Sequence, residues 1–141
     1  PNAKVLNTKA RQMADQKIEE EGVYEALLVD TDDCITEGSR SNFFGIKNNS
    51  LVTPPDDEVL QGIARKKVLE ICRESDISFN IKRIHQDELR ELEAVFLTGT
   101  SLKVLPVNQI DNVSYDPGHE LLTQLMVKYN EKIESYINQN K

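Results

Sequence analysis

The sequence predicts an α+β fold, a mostly antiparallel sheet with helices packed outside it. Three hairpin-like turn signals fall within about thirty residues of the first half, the signature of strands paired with their chain neighbours. Before and after them, apolar residues recur at three- and four-residue intervals, as on helices that bury one face. With 141 residues, 38% of them hydrophobic, the chain has the size of one domain and enough apolar surface for its own core.

The opening, Pro1-Asn2-Ala3-Lys4, has no initiator Met and no evident element, and reads as cut from something longer. Leu6, Ala10, Met13, Ala14 and Ile18 then form an amphipathic stripe that predicts a helix, with Gly22 at its C-cap. Tyr24 to Asp30 is a mostly apolar run suited to a buried strand, and Thr31-Asp32-Asp33 turns it into a second strand at Cys34-Ile35-Thr36. Ser41 to Lys47 predicts a third strand, and Asn48-Asn49-Ser50 a turn into a fourth around Leu51-Val52-Thr53. Pro54-Pro55 ends that sheet.

A second helix is expected from Glu58 to Glu74, with Leu60, Ala64, Val68, Ile71 and Cys72 inward. Ile77 to Ile84 alternates apolar and polar residues like a half-exposed strand, and Asp87 is placed to cap a short helix through Leu92. Ala94 to Leu97 predicts a buried strand, Lys103 to Ile110 another, and Asp116-Pro117-Gly118 a turn. The last helix carries Leu122, Leu125, Met126, Tyr129, Ile133, Tyr136 and Ile137 on one face.

Charge and composition narrow the function. Twenty-four acidic and 17 basic side chains give a net charge of −7, which argues against a nucleic-acid binder or an anionic membrane surface as partner. No apolar run approaches the roughly 20 residues of a membrane-spanning helix. Cys34 and Cys72 are too few for a disulfide scaffold and read as buried, reduced thiols of a cytoplasmic protein. His85 and His119 have no His or Cys partner at ligand spacing, so no metal is expected.

Three polar clusters lie where elements end. They are Glu37-Gly38-Ser39-Arg40-Ser41-Asn42, Gly62-Ile63-Ala64-Arg65 and Thr98-Gly99-Thr100-Ser101. Glycine beside hydroxyl residues at such ends can present backbone N–H groups to a phosphate. Each cluster taken singly is equally what a tight turn, a helix start or a strand end would show.

Their order and spacing are more specific. Glu37, Ser39, Asn42 and Phe43-Phe44, then Leu51-x-Thr53, then Leu60-x-Gly62-Ile63-x-Arg65, resemble the signature of the class IV pyridoxal-phosphate aminotransferases. That family includes D-amino-acid and branched-chain aminotransferases and aminodeoxychorismate lyases. The likeness continues downstream in Thr98-Gly99-Thr100-Ser101 with Val104-Leu105-Pro106-Val107. Upstream it continues in Lys4-Val5-Leu6-Asn7 and Gly22-Val23-Tyr24-Glu25-Ala26. It therefore covers nearly the whole chain.

The resemblance implies pyridoxal 5'-phosphate as cofactor and a role for each matching residue. Lys4 would form the Schiff base and move the proton between substrate and cofactor, and Glu37 would keep the pyridine nitrogen protonated. Ser39 and Asn42 would also face the cofactor. The backbone N–H groups of Ile63 and Ala64 and the hydroxyl of Thr100 would take the phosphate, with Arg40 and Ser101 on the substrate side. The chain departs from the family in having Ala64 where Thr is commonest, Asn7-Thr8 where branched-chain members have Tyr after the asparagine, and Lys103 where an acidic residue is common. The turn 37–42 is closer to the D-amino-acid type than to the lyases.

The fold implied is the large domain of the D-amino-acid aminotransferase-like fold, a strongly bent sheet approaching a pseudo-barrel. Residues 1–141 would form that single C-terminal domain, with the family's small N-terminal domain absent. The intact protein is expected to be a cytoplasmic homodimer passing an amino group between an amino acid and a 2-oxo acid, and the isolated chain to turn over little. A lyase of the aminodeoxychorismate type, or a non-catalytic remnant acting as a subunit-contact module, are the alternatives.

Overall fold

The structure is a computed structural model that describes residues 2–7, 25–38, 41–55, 62–99 and 103–139, with side chains at all of these except 2–7, 25, 26, 136, 138 and 139. The predicted first helix lies mostly in 8–24, outside the described residues, as do Gly22 and Leu60. Leu6, assigned above to that helix, is in a strand instead: β1 runs Asn2–Asn7, where no element was expected. Its strand state comes from partners elsewhere in the chain. β1 pairs in parallel with β2 (Glu25–Val29) on one side and with β10 (Gln109–Ile110) on the other.

The α+β class holds, and the strands divide between two sheets. The first is six-stranded, in the order β11 (Val113–Ser114), β10, β1, β2, β3 (Cys34–Gly38), β7 (Ile84–His85). The second is five-stranded, in the order β6 (Phe79–Ile81), β5 (Ser50–Thr53), β4 (Asn42–Lys47), β8 (Ala94–Gly99), β9 (Lys103–Pro106). The pairing is mostly antiparallel, with parallel exceptions at β1–β10, β1–β2 and β5–β6. β2–β3 and β4–β5 are the predicted hairpins, but β3 and β4 part into different sheets.

The five-stranded sheet is buried on both faces, which explains its unbroken apolar runs. Phe43, Val95 and Leu97 enter a core between the two sheets with Leu27, Ile35 and Ile110. Phe44, Ile46 and Phe96 enter a second core beneath α1 (Ile63–Glu74) and α2 (Glu120–Gln139). Phe44 and Phe96 stack there with ring centroids 4.9 Å apart, each ring contributing about 1.5–3 kcal/mol by leaving water. Ala64, Val68, Ile71 and Cys72 face this core as their spacing predicts, and so do Leu122, Leu125 and Tyr129 of α2. The predicted α2 stripe ends early: Ile137 is 51% exposed, and the side chain of Tyr136 lies outside the described residues.

Three further expectations need correction. The predicted strand Ile77 to Ile84 breaks in two. β6 adds to β5 with Ile81 exposed, whereas β7 joins β3 in the other sheet. Likewise Lys103 to Ile110 is not one strand. Pro106 cannot donate to a ladder, β9 ends there, and the chain crosses to the six-stranded sheet as β10. The short helix is a 3-10 turn, Gln86–Glu91, capped by His85 rather than Asp87: His85 Nδ1 accepts from Asp87 N at 3.1 Å, and Glu88 Oε2 accepts from His85 N at 2.7 Å.

Both cysteines are buried and free. Burial pushes the Cys72 thiol up to about 11 against a slight opposing effect of Arg73, so it stays protonated and inert. Among the described residues no helix is long and apolar enough to cross a membrane.

Candidate cofactor site

Of the predicted site residues, Glu37 and Asn42 flank the corner where β3 leaves one sheet and β4 enters the other. Gly38 N donates to Ser41 O at 2.8 Å, pinning the two strand ends together across 39–40. Ser39 and Arg40 lie outside the described residues, as do Thr100 and Ser101. Glu37 and Asn42, on either side of the corner, are each only 6% exposed.

A bulge orients Glu37. Leu28 pairs with Glu37 but Val29 pairs with Ile35, so Thr36 is the extra residue, and its Oγ1 donates to Leu28 O at 3.1 Å. Without the bulge Ile35 and Glu37, two positions apart in a regular strand, would share a face. With it, Ile35 stays in the core between the sheets beside Val29, while Glu37 lies with Leu28 on the opposite face. Register ties Lys4 to that face too. Lys4 pairs with Ala26, two positions from Leu28, so the backbone positions of Lys4 and Glu37 belong to one face, on strands separated only by β2. Two strand spacings amount to about 10 Å.

Asn42 connects the corner to α1. A β-carbon on Gly62 would stand 2.7 Å from Asn42 Oδ1, so the helix begins in contact with this amide only because residue 62 is glycine. Gly62 is the N-cap, its position supplies no side-chain cap, and the first turn holds no acidic residue. By position, the N–H groups of Ile63 and Ala64 have no intrahelical acceptor. Ile63 is 68% exposed and Ala64 is 3% exposed, so what both present here is backbone. Together with the helix dipole, this is an arrangement that receives an anion.

Sequence reasoning left two residues of this corner without roles. Arg65 is 1% exposed, and its Nη2 donates to Pro54 O at 2.9 Å, tying the first turn of α1 to the end of β5. A guanidinium inside a predicted amphipathic helix reads as solvent-facing; only the break at Pro54-Pro55 hinted that something must hold the chain there. Thr98 is the other. It pairs with Asn42, is fully buried, and its Oγ1 has no hydrogen-bond partner among the described residues. The signal was a lone hydroxyl ending the apolar run Ala94 to Leu97.

Other clefts lie away from this corner. A groove of about 600 Å³ between α1 and α2 is bordered by Lys67, Glu70, Glu74 and Lys132, and Lys132 pairs there with both glutamates. It is an exposed ion-paired surface with no convergence of unused donors.

Comparison with known proteins supplies the context for this corner. The family model described as amino-transferase class IV matches residues 1–110, a span that includes Lys4, Glu37, the head of α1 and Thr98 to Ser101. The chain is 37% identical over 116 residues to a D-alanine aminotransferase of Bacillus licheniformis, covering 82% of this chain and 41% of that protein. It is 34% identical over 90 residues to a branched-chain-amino-acid aminotransferase of Pseudomonas aeruginosa, covering 64% and 29%. Among solved structures, a branched-chain amino acid aminotransferase from Escherichia coli superposes with a TM-score of 0.81 at 22% identity, covering 89% of this chain and 50% of that one. At that identity the likeness establishes the fold. The chain spans less than half the length of these two curated relatives.

Proposed function

The chain belongs to the class IV aminotransferases, and on that premise we propose that it holds pyridoxal 5'-phosphate in a protein that moves an amino group between an amino acid and a 2-oxo acid. The observation that carries this reading is the family match across every cluster of the corner. The residues present also suit a phosphorylated pyridine. The glycine-headed helix with no side-chain cap suits the phosphate, the buried Glu37 carboxylate suits a protonated ring nitrogen, and Lys4 shares the Glu37 face in register.

When bound, the cofactor supplies an electron sink for the carbanion formed at the substrate α-carbon. Lys4 is the residue we assign to the covalent link with the cofactor, and its amine would move the proton at the substrate α-carbon. Glu37 holds a proton on the ring nitrogen, since a carboxylate beside that atom favours its charged form. Ile63 N and Ala64 N would hold the phosphate, with Asn42 spacing the head of α1 from the strand end, and Ser39 and Thr100 are assigned to the cofactor as well. Arg40 and Ser101 are assigned to the substrate side. A cytoplasmic homodimer is part of the same proposal.

The likeness to a D-alanine aminotransferase supports D-amino acids as donors. The test is a coupled assay of the intact protein with 2-oxoglutarate and either D-alanine or L-leucine. Turnover with D-alanine is expected, with kcat falling about 100-fold or more in Glu37→Gln, whose amide cannot stabilise the pyridinium. No turnover with either donor, or a Glu37→Gln variant as fast as the parent, would refute the proposal.

A further inference from the structure

Thr98 ends the run Ala94 to Leu97 on β8. Ala94 and Phe96 enter the core beneath the helices and Val95 and Leu97 the core between the sheets, so alternation brings Thr98 to the helix side. Its cross-strand neighbours are Asn42 on β4 and Val104 on β9. Asn42 is the residue whose Oδ1 lies against the N-cap glycine of α1, so Thr98 stands about 5 Å, one strand spacing, from the residue that touches the helix head.

The Thr98 side chain is 0% exposed and its Oγ1 has no hydrogen-bond partner among the described residues. Other threonines show what a strand hydroxyl ordinarily does here. Thr53, equally buried, donates to Phe43 O at 2.8 Å, and Thr36 donates to Leu28 O at 3.1 Å. A buried hydroxyl that forgoes such a carbonyl has given up its water hydrogen bonds without return, unless its acceptor arrives from outside the chain.

We propose that Thr98 is a further phosphate-holding residue, its hydroxyl donating to the same phosphate monoester that the head of α1 receives. This rests on the cofactor reading above and adds a donor to it. Several acceptor oxygens on one phosphorus match a cluster of helix N–H groups with a hydroxyl beside them. The hydroxyl also stands in for the one that Ala64 does not supply, where the family's usual residue is threonine.

The test is Thr98→Val, which keeps the shape and removes the hydroxyl, with Thr98→Ser to restore it. Retention of pyridoxal 5'-phosphate and of pyridoxal, which lacks the phosphate, is measured by equilibrium dialysis on the intact protein, and the melting temperature without ligand is recorded. Thr98→Val should weaken the phosphorylated ligand about tenfold, leave pyridoxal unchanged, and melt no lower than the parent, because the group removed had no partner. Thr98→Ser should bind within about threefold of the parent on the same scale. If the parent retains pyridoxal 5'-phosphate and Thr98→Val retains it equally well, or loses both ligands alike, this proposal falls and the cofactor reading stands. If the parent retains neither ligand, both fall.

Discussion

Replacing Gly62 with alanine separates the geometry of this corner from backbone strain. Gly62 has φ −85° and ψ 155°, extended values open to any residue, so alanine adds no conformational penalty. What it adds is a β-carbon 2.7 Å from Asn42 Oδ1, which is 0.7 Å short of the 3.4 Å at which ordinary contact begins. Asn42 is 6% exposed and has no solvent to swing into. Relief therefore costs either a hydrogen bond of the amide or a displacement of the α1 head, about 1–2 kcal/mol in either case. For a chain of this size that lowers Tm by roughly 3–6 °C. The displacement also misaligns the N–H groups assigned to the phosphate, so affinity for pyridoxal 5'-phosphate should fall about tenfold. Calorimetry with and without ligand reads both effects. In an Asn42→Ala background the clash is gone, and Gly62→Ala should then cost less than about 0.5 kcal/mol. A neutral Gly62→Ala, or one equally costly in both backgrounds, would refute the contact as the reason for glycine.

Arg65→Met keeps the apolar stem but leaves Pro54 O without the guanidinium that reaches it at 2.9 Å, and should destabilise by about 2–4 kcal/mol in urea unfolding, with Arg65→Lys recovering less than half. Asp30 concerns the six-stranded sheet. Desolvation pushes its carboxyl up, but N–H donors from Cys34 and Asp32 and the Arg83 guanidinium outweigh this and hold it below the ordinary 3.8. A carboxylate depressed in the folded state stabilises above its unfolded pKa, and that stability is lost as pH falls through the folded value. Asp30→Asn should therefore lose less stability than the parent between about pH 4 and pH 2, measured by urea midpoints; parallel acid limbs would contradict the assignment.

Elements whose signal is local were legible in the sequence. β4, β5 and β8 are apolar runs bounded by turn residues, and α1 and α2 bury the stripes their spacing announces. What escaped depends on partners far along the chain. β1 has six unremarkable residues, and only pairing with β2 and β10 selects an extended state over the helical stripe that Leu6 fits. Ile77 to Ile84 and Lys103 to Ile110 show extended character, but pattern cannot say that each run divides between two sheets. The site follows the same division. Glu37, Asn42 and the α1 head were picked out by their resemblance to the family's signature. The Thr36 bulge that orients Glu37, the burial of Arg65 and the orphaned hydroxyl of Thr98 are properties of packing, which spacing does not encode.

Lys4 and Glu37, whose backbone positions share one face, are proposed to serve one cofactor site. Borohydride reduction of the intact protein with pyridoxal 5'-phosphate, followed by peptide mass spectrometry, tests this most directly. The expected result is a pyridoxyl adduct confined to Lys4 and lost on Glu37→Ala through weaker binding. Labelling spread over many lysines, or an adduct at Lys4 indifferent to Glu37, would contradict it.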